Sequence, residues 1–196
     1  MRLRAIEPED LDLLYQIEND QSLWKVGTTN VPYSRYTLHD YIASSSDDIY
    51  ADRQVRMIVE NDERETVGIV DLVQFSPEHL RAEVGIVILQ NHRRQGYARE
   101  ALRELFDYAL RIIHLHQLYA VVDVRNEAAV ALFKEMGFSA GNTLQEWLFD
   151  GREYHDALLM QRFLLSFREK VWYIQKFSLP LHPQNDKRSN SGALVQ

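Results

Sequence analysis

Residues 81–110, RAEVGIVILQNHRRQGYAREALRELFDYAL, constrain the fold more than any other stretch of the chain. Alternation along its first part places Val84, Ile86 and Ile88 on one side and Glu83, Val87 and Leu89 on the other. A strand that is apolar on both sides is expected to be buried on both, inside a sheet that is covered above and below. Arg93-Arg94-Gln95-Gly96-Tyr97-Ala98 then turns the chain directly into a helix. Ala98, Ala101, Leu102, Leu105, Phe106 and Ala109 fall on a single stripe of that helix, which predicts its inner face.

The turn has the physics of an anion site. A helix start leaves backbone N–H groups without partners and carries a partial positive charge, so it suits a phosphate. Gly96 lets the backbone approach a ligand closely, and Ala98 keeps the next turn uncrowded. Arg93, Arg94 and Arg99 add cations where the dipole is already positive, at roughly a few tenths of a kcal/mol each unless an anion arrives. Taken alone, R-x-x-G-x-A also reads as a solvated turn ahead of a helix.

In this setting, after a strand and before a helix, R-x-x-G-x-A resembles the acetyl-CoA pyrophosphate loop of the GCN5-related N-acetyltransferase (GNAT) superfamily. NEAAVALFKEMGF at residues 126–138 is similar to that family's N-x-x-A-x-x-x-[YF]-x-K-x-G-F segment, and the opening MRLRAIEPEDLDLLYQI is similar to its start. The resemblance covers residues 1–164 and is closest to the branch of spermidine and ribosomal-protein acetyltransferases. It implies an α/β fold: a mixed, mostly antiparallel, twisted sheet of about seven strands with helices on both faces. It also implies that the backbone of Ile86, Val87 and Ile88 pairs with the pantetheine arm of acetyl-CoA. Arg93, Arg94, Gln95, Gly96, Tyr97, Ala98 and Arg99 would hold the pyrophosphate. Asn126 and Lys134 would reach the same molecule from the following helix. By residue type alone Asn126 is an N-cap, a role compatible with the first, and Lys134 is a solvated helix residue.

Acetyl transfer from a thioester to an amine needs a held thioester, a deprotonated amine and an exit for the thiolate. Holding the reactants together can supply about 7–11 kcal/mol of the barrier. Glu83 is the candidate base, because a carboxylate among apolar neighbours is pushed toward the working pH range by desolvation. In family members a glutamate here acts on the amine through water. The other reading of Glu83 is an ordinary ion pair with Arg81 or Arg56. Many relatives carry a tyrosine acid where this chain has Phe133, which has no proton to give. A thiol with a pKa of about 8.5 leaves with modest help near neutrality. Tyr119, Tyr154 and His155 are the remaining candidate donors, each of which also reads as packing. No G-x-S-x-G, cysteine or H-E-x-x-H stands in the sequence, so direct attack in a ternary complex is expected.

The acceptor is expected to be a primary amine, either a polyamine such as spermidine or a protein or peptide N-terminal amine. The strands around GIVDLV and RAEVGIVI resemble the spermidine enzymes, but those carry glutamates before the loop proline, where this chain has Asn30-Val31-Pro32. They also carry an acid at the position of Gln74. Asp71, Glu78 and Glu83 remain as carboxylates for a polycation. An amine of pKa near 10.4 must shed a proton at roughly 4–5 kcal/mol at pH 7, against about 1 kcal/mol for an α-amino group, which favours the peptide. Phe133 also leaves open a non-catalytic acetyl-CoA-binding module or sensor.

The remainder of the 196 residues sets limits. With no cysteine, disulfides, thiolate zinc sites and a cysteine acyl-enzyme are excluded, and no metal is expected. A net charge of −7 argues against nucleic acid and is compatible with a cationic substrate. Met-Arg-Leu-Arg followed by acids is no signal peptide, and no apolar run approaches the roughly 20 residues that span a membrane, so a cytoplasmic protein is expected. The pattern predicts strands at 2–6, 55–59, 66–75, 117–122, 144–149 and 152–162 beside the central one. It predicts helices from residue 7, at 37–44 and at 127–136, with loop at 21–36 and a polar, mobile stretch at 44–53. Asp150-Gly151 marks a hairpin of the kind that pairs subunits in this family, compatible with a homodimer or higher homo-oligomer. A domain over 1–164 is followed by a C-terminal helix from Phe163 and a polar tail, residues 165–196, packing on the domain or on a dimer partner.

Overall fold

A computed structural model describes residues 1–24, 31–46 and 48–164. Its strands are β1 (Arg2–Ala5), β2 (Val55–Glu60), β3 (Thr66–Ser76), β4 (Arg81–Ile88), β5 (Gln117–Asp123), β6 (Ser139–Phe149) and β7 (Tyr154–Phe163). They form a single seven-stranded sheet in the order β1-β2-β3-β4-β5-β7-β6. Each neighbouring pair is antiparallel except β4 with β5. A parallel pair needs a crossover, and here it is the fifteen-residue helix α5 (Tyr97–Arg111). The other helices are α1 (Leu11–Glu18), α2 (Gln21–Trp24), α3 (Arg35–Ser44), α4 (Ile49–Asp52) and α6 (Glu127–Glu135). This is the mixed, mostly antiparallel α/β architecture expected, with helices packed on both faces.

The side-chain period sorts the core. Ala101, Leu102, Leu105, Phe106 and Ala109 of α5 pack with Phe133 of α6 and with Met57, Val59, Val70, Val84 and Leu118 of the sheet. Ile58 and Ile69, one position out of step, face the other way and meet Ile17 of α1. Cover on both sides explains why β2 buries Met57, Ile58, Val59 and Glu60 in succession.

Several elements depart from the sequence pattern for local reasons. The one-turn helices α2 and α4 fall where loop and a polar stretch were expected, since four residues display no period. Ile49 of α4 is buried, and Tyr50 packs edge-on against Phe75 with ring centroids 5.1 Å apart. Helix α3 starts at Arg35 because the Ser34 side chain accepts the Thr37 N–H. Tyr15 is exposed beneath the Arg35 guanidinium. Strand β6 begins at Ser139, and register shifts between Ala140 and Thr143 and between Leu144 and Leu148 hide its period. Phe163 ends β7 and does not start a helix. The expected C-terminal helix and tail at 165–196 lie outside the described residues, as does Asn30. Among the described residues no helix is long and apolar enough to cross a membrane.

Candidate active site

The site begins where two strands part. Pairing of β4 with β5 covers Arg81↔Gln117, Ala82↔Leu118 and Glu83↔Tyr119. Beyond it, β4 follows β3 as far as Ile88, while β5 follows β7 as far as Asp123. A gap therefore opens after Glu83. This is why residues 85–88 are only half-buried, against the full two-sided burial the apolar pattern predicted. The Leu89 N–H donates to the Val67 carbonyl at 2.9 Å. Strand backbone groups alternate between neighbours, so those of Ile86 and Ile88 face the gap while Val87 faces β3. The Ile88 carbonyl there accepts Arg93 Nε at 2.9 Å.

The loop at the mouth of the gap is built around Gly96. Its φ of 93° lies in the left-handed region, and no side chain caps the helix it starts. A Cβ at Gly96 would meet nothing within 4 Å. The glycine thus serves backbone conformation and open approach rather than packing. Arg93 and Gln95 brace the loop, Gln95 through Nε2 to the Asn91 carbonyl at 3.0 Å. Arg94 is exposed with φ 61°. Tyr97 turns its ring toward His92, and Ala98 is half-buried. Arg99 bridges to Glu135 of α6 at 2.6 Å, a partner the sequence did not suggest. An uncapped helix start with open space over a glycine and cations around it fits the pyrophosphate of acetyl-CoA. On α6, the Asn126 side chain accepts the Ala129 N–H at 3.1 Å, so the N-cap reading holds, and Lys134 is exposed. Phe133 is buried with its ring 4.9 Å from that of Phe138.

Glu83 sits half-buried at the last paired position. Burial pushes its carboxyl above the ordinary range, against the pull of a hydrogen bond from the Val121 N–H. Neither arginine offered as an ion-pair partner takes it, and among the described residues Glu83 has no salt bridge. Arg56 is held by Asp71 (Nε–Oδ1 2.9 Å, Nη2–Oδ2 3.1 Å) and by Glu18. Asp71 lies in register with Gly85, where an added Cβ would come within 3.3 Å of Asp71 Oδ2. Burial pushes the Asp71 carboxyl up while Arg56 pulls it down. Removing one partner of a buried pair leaves an uncompensated charge. Arg56→Met should therefore cost about 3–5 kcal/mol of stability, read as a lower melting midpoint, and Arg56→Met with Asp71→Leu should recover most of it. An unchanged midpoint in the single variant would show that the pair contributes nothing.

The remaining candidates separate clearly. Tyr119 is half-buried beside Glu83, its phenol pushed up by burial and by the Glu83 charge. Tyr154 is exposed against the Phe149 ring. His155 Nε2 lies 2.8 Å from Asp150 Oδ2, and with Glu153 these form a compact group at the hairpin tip. The sequence did not single that group out, because only the folded hairpin assembles it, and Arg125 supplies counter-charge 3.6 Å from Asp150. Glu78 is exposed and bonded to Ser76, and Gln74 sits with φ 51° in the β3 bulge.

Comparison with known proteins adds independent findings. A family model described as an acetyltransferase (GNAT) domain matches residues 1–139. Spermidine N(1)-acetyltransferase of Escherichia coli K12 is 29% identical over 160 residues, covering 82% of this chain and 84% of that protein. The crystal structure of spermidine N-acetyltransferase from Vibrio cholerae in complex with CoA and spermine matches with a TM-score of 0.77 at 28% identity, over 83% of this chain and 95% of that one. A dodecameric structure of the Vibrio cholerae enzyme matches with a TM-score of 0.72 at 29% identity, over 83% and 93%.

Proposed function

The chain belongs to the acetyltransferase (GNAT) family and is an acetyl-CoA-dependent N-acetyltransferase, and we propose that it moves the acetyl group directly to a primary amine in a ternary complex, with a polyamine such as spermidine as acceptor. The observation that carries this is Glu83: a half-buried carboxylate, outside any ion pair among the described residues, at the point where β4 and β5 part. Residues 93–99 hold the pyrophosphate, backbone at the gap holds the pantetheine arm, and Asn126 and Lys134 approach from α6. Glu83 takes the ammonium proton, directly or through one water. The nitrogen then attacks the thioester carbon, the C–S bond breaks, and the leaving thiolate takes the second N–H proton, giving the amide and the CoA thiol. Phe133 offers no proton, and a thiol of pKa about 8.5 needs only modest help.

The polyamine assignment is supported by the spermidine enzymes among the relatives, by the spermine in the Vibrio cholerae complex and by the net charge of −7. A peptide α-amine is the second reading, favoured by Gln74 and by the lower cost of deprotonation. The dodecameric neighbour supports self-association of this chain as well. Thiol release from acetyl-CoA should rise with spermidine or spermine above Ser- and Ala-starting peptides and an aminoglycoside. A peptide that outruns both polyamines would move the assignment to the second reading. No release, with acetyl-CoA still raising the melting midpoint, would favour a binding module or an acceptor of another kind.

A further inference from the structure

A base is effective when one oxygen is turned to the substrate and the other is held. Glu83 and Tyr119 are partners in the parallel ladder, the last pair before the strands separate. Partners in register project to the same side of a sheet, from strands about 4.8 Å apart. Both residues are half-buried, so phenol and carboxylate flank the mouth of the gap together. The other groups facing Glu83 are accounted for on each strand. Arg81 and Gly85 share its side of β4; Val73, its partner on β3, is apolar; Asp71 further along is taken by Arg56, which also holds Glu18. From β5 the Val121 N–H already donates to the carboxylate.

We propose that Tyr119 is a positioning residue for Glu83, its phenol O–H donating to one carboxylate oxygen in the reacting complex and leaving the other for the amine. The inference rests on Glu83 as the base. Tyr119 keeps its proton at working pH, because burial and the Glu83 charge both hold it there. A hydrogen bond to the charged carboxylate favours the ionised form, so Tyr119 partly offsets the burial that raises Glu83.

Tyr119→Phe keeps the ring and removes only the donor. It should lower kcat about tenfold, the worth of one hydrogen bond to a charged group. Both KM values should stay within about twofold, the melting midpoint should hold, and the acid limb of kcat, which reports the bound complex, should move to higher pH. Combined with Glu83→Gln it should be no slower than Glu83→Gln alone. Wild-type kcat with an unmoved acid limb in Tyr119→Phe would overturn the inference, as would a double variant whose loss is the product of the two single losses. A Glu83→Gln enzyme at full rate is a separate result, and it would remove the base assignment itself.

Discussion

Glu83→Gln should lower kcat by about 10²–10⁴-fold, the usual contribution of a positioned base, with KM for acetyl-CoA within about twofold. Glutamine keeps the shape and can still accept the Val121 N–H, so the loss is confined to proton acceptance. In the wild type the acid limb of kcat/KM should lie above the ordinary glutamate range, because burial raises Glu83. That limb should vanish in the variant. Stability should move the opposite way. A carboxyl raised by folding binds its proton more tightly folded than unfolded, so between the ordinary and the raised value the folded state carries more protons. Stability then falls as pH rises through that window and stays lower above it. Glu83→Gln removes the penalty, and its melting midpoint at pH 7 should exceed that of the wild type, with the gap closing once pH drops below the ordinary glutamate value. Melts and pH–rate profiles on the two proteins read both effects. A variant that turns over normally, or that melts lower at pH 7, would take Glu83 out of the role.

Glu83 also illustrates what the sequence could and could not say. The strand, glycine turn and helix of residues 81–110 were legible because period two, a Gly and period 3.6 follow one another without interruption. The Asp150-Gly151 hairpin was legible for the same reason: local chemistry decides it. Whether Glu83 is paired was not legible. Arg56 and Arg81 both stand in the sequence as available cations, but only the fold assigns Arg56 to Asp71 and Glu18, 15 and 38 positions away. The Arg99–Glu135 bridge and the Val121 N–H at Glu83 are long-range in the same sense. The parting of β4 and β5 was not legible, because nothing in either strand's pattern states where its neighbour leaves. The one-turn helices and the bulged β6 failed for a third reason, since too few residues, or a broken register, leave no period to read.

Gly96→Leu should weaken acetyl-CoA binding about 100-fold, equivalent to about 2.7 kcal/mol, and still leave a folded protein. Two effects have to be separated. At φ 93° any L-residue bears backbone strain of about 1–3 kcal/mol, which lowers the melting midpoint whatever the side chain. Gly96→Ala carries that strain with almost no bulk, and nothing lies within 4 Å of its Cβ. Leucine adds a side chain in the open space over the α5 start, where the N–H groups would meet the pyrophosphate. Alanine and leucine should therefore melt at similar temperatures and differ in Kd for acetyl-CoA, with leucine much the weaker. Titration calorimetry beside thermal melts reads both quantities. Equal Kd values for the two variants would mean that the ligand does not approach over Gly96, and the phosphate site would have to lie elsewhere. Equal binding by Gly96→Leu and the wild type would dismiss the loop altogether, because a branched side chain cannot share that space with a phosphate held by backbone N–H groups.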